Sequence, residues 1–563
     1  MKIFIEEYNY ATSLVKMYLH DIDEIDVEKD FVSMNCIGYY FNNEINDCVF
    51  ILPKVLIDEN NKVFGKYSPE DIVDLDKQNV LSDDEHRFIC ELAVLIYRTI
   101  NVFKNNRKDT SIVLQQQLVK AGKGQKHVFN TYLDVILSLI RFNQENQDFF
   151  MFILKNIHSG FNKVNWLRTI SHSKVIVQDE EPIYIKPVNK KRQINFDEEL
   201  LVIFFSILKY ISDNYGFTIS INCNYDLILG NRFEHYINGF GVIRLRQIKY
   251  KYYSDKTLLL WNLCYAFFEQ SHKIKANSSQ NEYLLVKNFN IVFEAIIDEL
   301  VSDKHLPDRL NKKQEDGKIV DHLFMWNSLT SSYKYKKVYY IGDSKYYKIG
   351  NRITDESVAK QYTYARNVIQ WNIDLFDGKG DATKDDTKLR DEITEGYNVI
   401  PNFFISAKIV KKDDKLFYED IVDKTDRSDN IHFRKHFDNR LFDRDSLIVS
   451  HYDVNFIFVL SLYARNNASQ KSVWKKNFRN KIRSEIQKWL HECYMFYLLQ
   501  PKCNDLKEVV DKHFRILNGK IYKPSDNEDS VILALDKKFH TENTSLLAQI
   551  KDDFNIYENY ELW

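Results

Sequence analysis

The alternation of apolar and polar residues divides the chain into stretches of different period. The opening runs CIGYYF and DCVFILPKVLI, β-branched and aromatic residues bounded by Asn, Asp and Pro, predict strands of a small β-rich unit. DDEHRFICELAVLIYRTINVF follows, acidic at its start and apolar at three- and four-residue spacing, which predicts an amphipathic helix closing that unit near residue 110. From 111 to 279 the pattern is mainly helical, in FNTYLDVILSLIRF, DFFMFILKNI and EELLVIFFSILKYI, and ends at the Ser/Asn-rich KIKANSSQNE. Between 280 and 466 the order becomes helix (NFNIVFEAIIDELV), strand (KIVDHLFMW), strand (KKVYYIGDSKYY), helix (ESVAKQYTYARNVIQ) and strand (NFFISAKIV). A charged insertion at 411–445 precedes a further strand and helix in LIVSHYDVNFIFVLSLYA. This order predicts an α/β core around a mixed sheet. Residues 467–563 read as a basic-helical and then mixed extension. The fold class expected is α/β multidomain.

Length supports that division, because 563 residues exceed what one core usually holds and call for about two to four domains. A formal charge of −2 gives no overall basic excess, so any nucleic-acid surface must be local. The seven cysteines form no CxxC pair, which argues against a zinc module or a disulfide framework. The start MKIFIEEYNY is acidic where a leader needs an apolar stretch, and no apolar run reaches about 18 residues, so a cytoplasmic location without membrane is expected.

The chemistry concentrates in GDSKYY. Side chains alternate along a strand, so Asp343 and Lys345 share one face while Ser344 takes the other. Asp321 lies in the preceding strand-like run, and the polar NSLTSSYKYKK is suited to a hairpin that brings the two carboxylates together. A hard cation such as Mg²⁺ takes one or two carboxylates and completes its shell with water and phosphate oxygens. A neighbouring ammonium, here Lys345, orients the nucleophile or steadies the charged transition state. Glu294, in the helix before the hairpin, extends toward the same point, and Gln361, in the helix after it, shares a face with Val358, Tyr364 and Ala365. His322 projects to the opposite face and is expected to be structural.

This order of an acid, a (D/E)-x-K strand, a preceding helical Glu and a following Gln helix resembles the PD-(D/E)XK nuclease superfamily. The longer wording INDCVFILPKVLI, VFGKYSPED, LDVILSLIRFNQENQDFFMFILKNIHSG, KKRQINFDEELLVIFFSILKYI, DGKIVDHLF, GDSKYYKIG and VAKQYTYARNV resembles the LlaJI-type restriction endonuclease family throughout. That family is similar to McrC, the nuclease subunit that works with the AAA+ GTPase McrB. The resemblance implies a PD-(D/E)XK domain at 280–466 cutting double-stranded DNA with Mg²⁺, and a GTP-dependent restriction system with a McrB-like GTPase subunit and a cognate DNA methyltransferase. It implies that residues 1–110 dock on the partner, with the helical middle (111–279) contributing to docking or to DNA contacts. It assigns metal binding to Asp321, Asp343 and Glu294, and catalytic roles to these three with Lys345 and Gln361. One departure is that Asp321 follows Val320 rather than proline.

The basic run Lys471, Lys475, Lys476, Arg479, Lys481 and Arg483, interleaved with Trp474 and Phe478, matches a phosphate-contacting helix as well as a solvated one. The loop Lys186–Arg192 and AGKGQKH are further basic candidates for DNA or the partner. AGKGQKH and DGKGDATK lack G-x-x-x-x-G-K-[ST], so the chain itself is not expected to hydrolyse GTP. Two other readings stay open: a catalytically silent DNA-binding adaptor that activates the partner GTPase, and a nuclease acting on RNA or branched DNA.

Overall fold

The computed structural model describes the chain apart from residues 20–24, 28–29, 76–80, 108–110, 117–130, 148–149, 151–153, 158–162, 195–197, 277–280, 305–318, 331–336, 349–352, 377–389, 413–414, 417–421, 425–430 and 524–528, and the single positions 190, 216, 218, 223, 410, 466, 504 and 563. Both glycine-rich segments, AGKGQKH and DGKGDATK, lie outside the described residues.

The first sheet begins with β1 (Lys2–Ile5), β2 (Cys36–Asn42) and β3 (Asp47–Leu52). The helix α1 (Asp83–Asn106) follows, opened by a reciprocal cap in which Ser82 receives the Glu85 N–H and Glu85 receives the Ser82 N–H. Next come β4 (Val113–Gln116), the helices α2 (Tyr132–Glu145), α3 (Glu199–Tyr215) and α4 (Asp255–Ala276), and β5 (Glu282–Lys287). The strand order is β1-β3-β2-β5-β4, with β1 and β3 parallel and the other pairs antiparallel. The second stretch thus returns a strand to the first sheet, and the expected boundary at 280 falls just ahead of a strand that pairs with β2. Gly38 makes that pairing possible: a Cβ there would lie 2.2 Å from the Leu284 carbonyl oxygen.

DFFMFILKNI differs from expectation. Leu154–Ile157 is a strand paired with Lys191–Ile194, in the basic loop region, instead of a helix turn. A short apolar run carries no period long enough to separate the two states, and the distant partner decides.

The second sheet is preceded by α5 (Phe289–Val301). It is built from β6 (His322–Asn327) and β7 (Lys337–Lys345), then α6 (Asp355–Phe376), β8 (Pro401–Lys408) and β9 (Leu447–Asn455). The order is β6-β7-β8-β9, with β6 and β7 antiparallel and β7-β8-β9 parallel. Val422–Lys424 and Ile431–Arg434, from the charged insertion, pair antiparallel with β9. The mixed sheet matches the expected order of elements. Helix α5 packs on β6 and β7, and α6 on β7 and β9. Gly342 leaves room for the Phe403 ring, whose atoms come within 2.3 Å of where a Cβ would sit.

The helices α7 (Phe456–Arg465) and α8 (Ala468–Cys493) lead to a four-stranded sheet, Ile521–Tyr522, Val531–Asp536, Tyr494–Pro501 and Phe554–Tyr557, with its own apolar core. One large cluster of buried side chains runs from Met1 to Leu562 and reaches into that sheet, and a smaller one lies on the N-terminal sheet. No helix among the described residues is long and apolar enough to cross a membrane.

Candidate active site

The β6–β7 ladder pairs His322 with Gly342, and one further step along it sets Asp321, at the bend before β6, opposite Asp343. The two carboxyls are in hydrogen-bond contact. Asp343 is 3% exposed, and Lys345 Nζ lies 2.7 Å from its Oδ2. The same ammonium stands 5.7 Å from the centre of the Phe404 ring on the next strand. The expected sharing of a face by Asp343 and Lys345 is therefore realised as an ion pair, while Ser344 is buried on the other side.

Burial pushes the Asp321 carboxyl up to about 8, helped by the charge and hydrogen bond of Asp343 and by Glu294, and opposed by Lys345. Glu294 comes from α5. Its carboxyl is raised by burial and then by Asp343, and drawn back by Lys345, an Asn290 hydrogen bond and Lys360. Three acids thus crowd one place with Lys345 as the nearest cation, a charge balance that favours a proton or a metal ion.

Helix α6 covers the pair. Ser357 N–H bonds the Thr354 hydroxyl at its start, and Tyr364 donates its hydroxyl to the Ile319 carbonyl at 2.7 Å, tying α6 to the segment carrying Asp321. Gln361 is fully buried on the face of α6 that meets β7, and neither amide atom has a hydrogen-bond partner among the described residues. A buried amide left unmatched costs about 1–3 kcal/mol, so its retention points to a polar guest. Lys360, its neighbour, was not anticipated. Partial burial of that ammonium is outweighed by Tyr364, Asp343 and Asp321, which hold it above the usual lysine range.

The rows continue across the sheet. Asp343 pairs with Phe404 and Phe404 with His451, while Lys345 pairs with Ser406 and Ser406 with Asp453. Paired side chains share a face. The Ser406–His451 hydrogen bond (2.7 Å) and Asp453, 3.8 Å from His451 Nε2, therefore border the carboxylates. The signal for them was the SHYD run, an i, i+2 polar pair like Asp343 and Lys345. His322 is fully buried, with Nδ1 3.6 Å from Asp298.

Asp321 and Asp343 offer the oxygen donors that a hard cation takes from one or two carboxylates. No three His, Cys, Asp or Glu side chains among the described residues form a ready-made cage, which such a cation does not require.

The basic run on α8 behaves differently from a DNA-facing helix. Lys471 pairs with Glu299, Lys475 donates to the Ser302 carbonyl at 2.6 Å, and Arg479 donates to the Val301 carbonyl and to Asp303, both at 2.7 Å. Arg483 bonds the Ser328 carbonyl at 2.9 Å. Four of the six cations thus hold the end of α5 and the edge of β6 in place. Lys476 is exposed and Lys481 half-buried.

Fold and site together define an α/β protein with a lysine-paired aspartate facing a second aspartate at the end of a hairpin in a mixed sheet. No family model matches the chain, and no curated protein matches it. A chain of the Thermococcus gammatolerans McrBC complex, solved by cryo-EM, aligns over 54% of this chain and 89% of its own at 11% identity, with a TM-score of 0.17. A likeness that slight carries no argument about fold or activity.

Proposed function

We propose that the chain is a Mg²⁺-dependent endonuclease subunit with a PD-(D/E)XK core, hydrolysing phosphodiester bonds in double-stranded DNA. The observation that carries this reading is the register-matched pair Asp321 and Asp343 with Lys345 bound to Asp343. Asp321 and Asp343 would hold Mg²⁺ with Glu294 behind them, and the cation would lower the pKa of a water and draw charge from the phosphoryl oxygens. Lys345, fixed by Asp343 and the Phe404 ring, presents a positive charge to the oxygens that become more negative as water adds to phosphorus. The buried Gln361 amide, on the helix that packs on β7, would offer a donor and an acceptor, and Lys360 adds to the field. Water forms the new P–O bond and gives up a proton to solvent, the ester P–O bond breaks, and the leaving oxygen gains a proton from solvent.

The choice of DNA, a McrB-like AAA+ GTPase partner and a companion methyltransferase rests on the sequence resemblance alone. The test is cleavage of unmodified plasmid DNA by the full chain with Mg²⁺, GTP and the neighbouring AAA+ protein. Asp343→Ala and Lys345→Ala are each expected to slow cutting by roughly 100-fold or more. Undiminished cutting by both variants would refute the site. Faster GTP turnover by the partner, with no cutting under any condition, would establish the adaptor in its place.

A further inference from the structure

A cleft of about 640 Å³, lined by none of the three carboxylates, lies where α1, α2 and α7 meet. Four arginines from these three helices line it: Arg87 and Arg98 on α1, Arg141 on α2 and Arg465 on α7. Its inner wall is apolar and aromatic, with Phe88, Leu95, Phe217 and Phe458. Glu91 also lines it, and Arg141 is held 2.7 Å from Glu145 at the rim. Among the described residues no carboxylate pairs with Arg98 or Arg465. The Arg98 side chain reaches into the cleft, where partial desolvation and the nearby Arg141 and Arg465 hold it below the usual arginine range. Guanidinium groups do not shed their protons near neutral pH, so like charges gathered this way favour a bound anion.

Size and lining narrow the anion. The cleft falls in the range of small-molecule sites, which pair an apolar body with a few placed polar groups. Arginine forks match phosphate oxygens two at a time, and an aromatic wall suits a flat ring. We propose that this cleft binds a phosphate-bearing small organic molecule of nucleotide type, its phosphates on Arg98 and Arg465 and its ring against the Phe88 and Phe458 wall. The site is separate from the hydrolytic centre, and it does not depend on the nuclease reading. It bridges the first sheet's helix α1 and the helix α7 that leaves β9, so its ligand would join the two halves of the chain.

The test is calorimetric titration of the full chain with AMP, ATP, GTP, inorganic pyrophosphate and a single-stranded oligonucleotide. Arg98→Gln with Arg465→Gln removes the charges at exposed positions, and Leu95→Trp fills the floor while keeping them. At least one nucleotide is expected to bind saturably, roughly tenfold or more weaker in each variant, with melting of the free proteins not lowered. Nucleotide binding that survives both variants, or no saturable binding by any nucleotide, overturns the proposal. So does pyrophosphate binding as tightly as the nucleotides with no effect of Leu95→Trp, which would make the cleft a bare anion site. An oligonucleotide that binds through the arginines when no nucleotide does would assign the cleft to a nucleic-acid strand and overturn it as well.

Discussion

Asp321 keeps its proton up to about pH 8 because a buried carboxyl facing two other acids is costly to ionise. In the unfolded chain the same group loses its proton near pH 4. Between those values only the folded protein holds the proton, so this group favours folding most at low pH, and that contribution is lost as pH rises through 8. A cation taking the site must expel the proton. Mg²⁺ affinity is therefore expected to rise roughly tenfold per pH unit between 6 and 8 and then to level, with one proton released per ion at the lower end. Titration calorimetry in two buffers of different ionisation enthalpy counts that proton, and an affinity flat over this interval would contradict the assignment. Gln361 makes a second case. Gln361→Leu removes a buried amide that has no hydrogen-bond partner among the described residues, so the melting temperature is expected to rise by a few degrees while cleavage falls. A purely structural glutamine would give a lower melting temperature instead.

Helix α8 shows why a charge pattern does not disclose its purpose. The last carbonyls of a helix lack partners and sit at the negative end of its dipole, so cations are favoured there. Lys475 and Arg479 meet the carbonyls of Ser302 and Val301 at the end of α5, and Arg479 lies 4.3 Å from the centre of the Phe324 ring. Helix α5 carries Glu294, so α8 fixes one of the three acids. Arg479→Ala is expected to destabilise the fold by about 3 kcal/mol, because it leaves Asp303 and a helix terminus without their buried partner, whereas Lys476→Ala stays within about 0.5 kcal/mol. Urea unfolding of the two variants measures the difference, and equal stabilities would remove the clamp. The sequence disclosed the cations here but not their direction, since a 3.6-residue period is masked when long charged side chains are turned inward. The hairpin was legible for the opposite reason. Its strands, and the i, i+2 placement of Asp343 and Lys345, are local features. The placement of β5 in the first sheet was not legible, since its register with β2 joins residues about 240 apart and depends on the close approach at Gly38. Lys360 and His451 escaped for a related reason: Lys360 reaches the site only through packing of α6 on β7, and His451 only through the pairing of β9 with β8 and of β8 with β7.

At the scale of the whole molecule, residues next to β1 of the first sheet meet the end of β7 through a buried hydrogen bond. Tyr346, the residue after Lys345, donates its hydroxyl to Glu6 Oε2 at 2.6 Å, Lys54 stands 5.1 Å from the centre of the Tyr346 ring, and Lys348 bonds the Glu7 carbonyl. Glu6 follows β1, so the end of β7 is fastened to the N-terminal sheet just beyond Lys345. Burial raises the Glu6 carboxyl to about 7, although Tyr346 and Lys54 pull it down. Unfolded, it titrates near 4.5. The folded chain alone holds this proton between those values, so the contribution is present in full below 4.5 and is lost as pH rises through 7, roughly 3 kcal/mol in all. Glu6→Gln keeps the hydrogen-bonding shape without the charge. Its melting temperature is expected to vary less with pH between 5 and 7.5 than that of the wild type, and to exceed it at pH 8. Tyr346→Phe removes the donor that favours the ionised form, so its Glu6 titrates higher and its loss of stability extends further toward alkaline pH. Thermal melts of the three proteins across pH 5 to 8.5 decide the matter. Parallel curves for wild type and Glu6→Gln would show that this carboxyl does not carry the pH dependence, and that the fastening of the two sheets rests on packing alone.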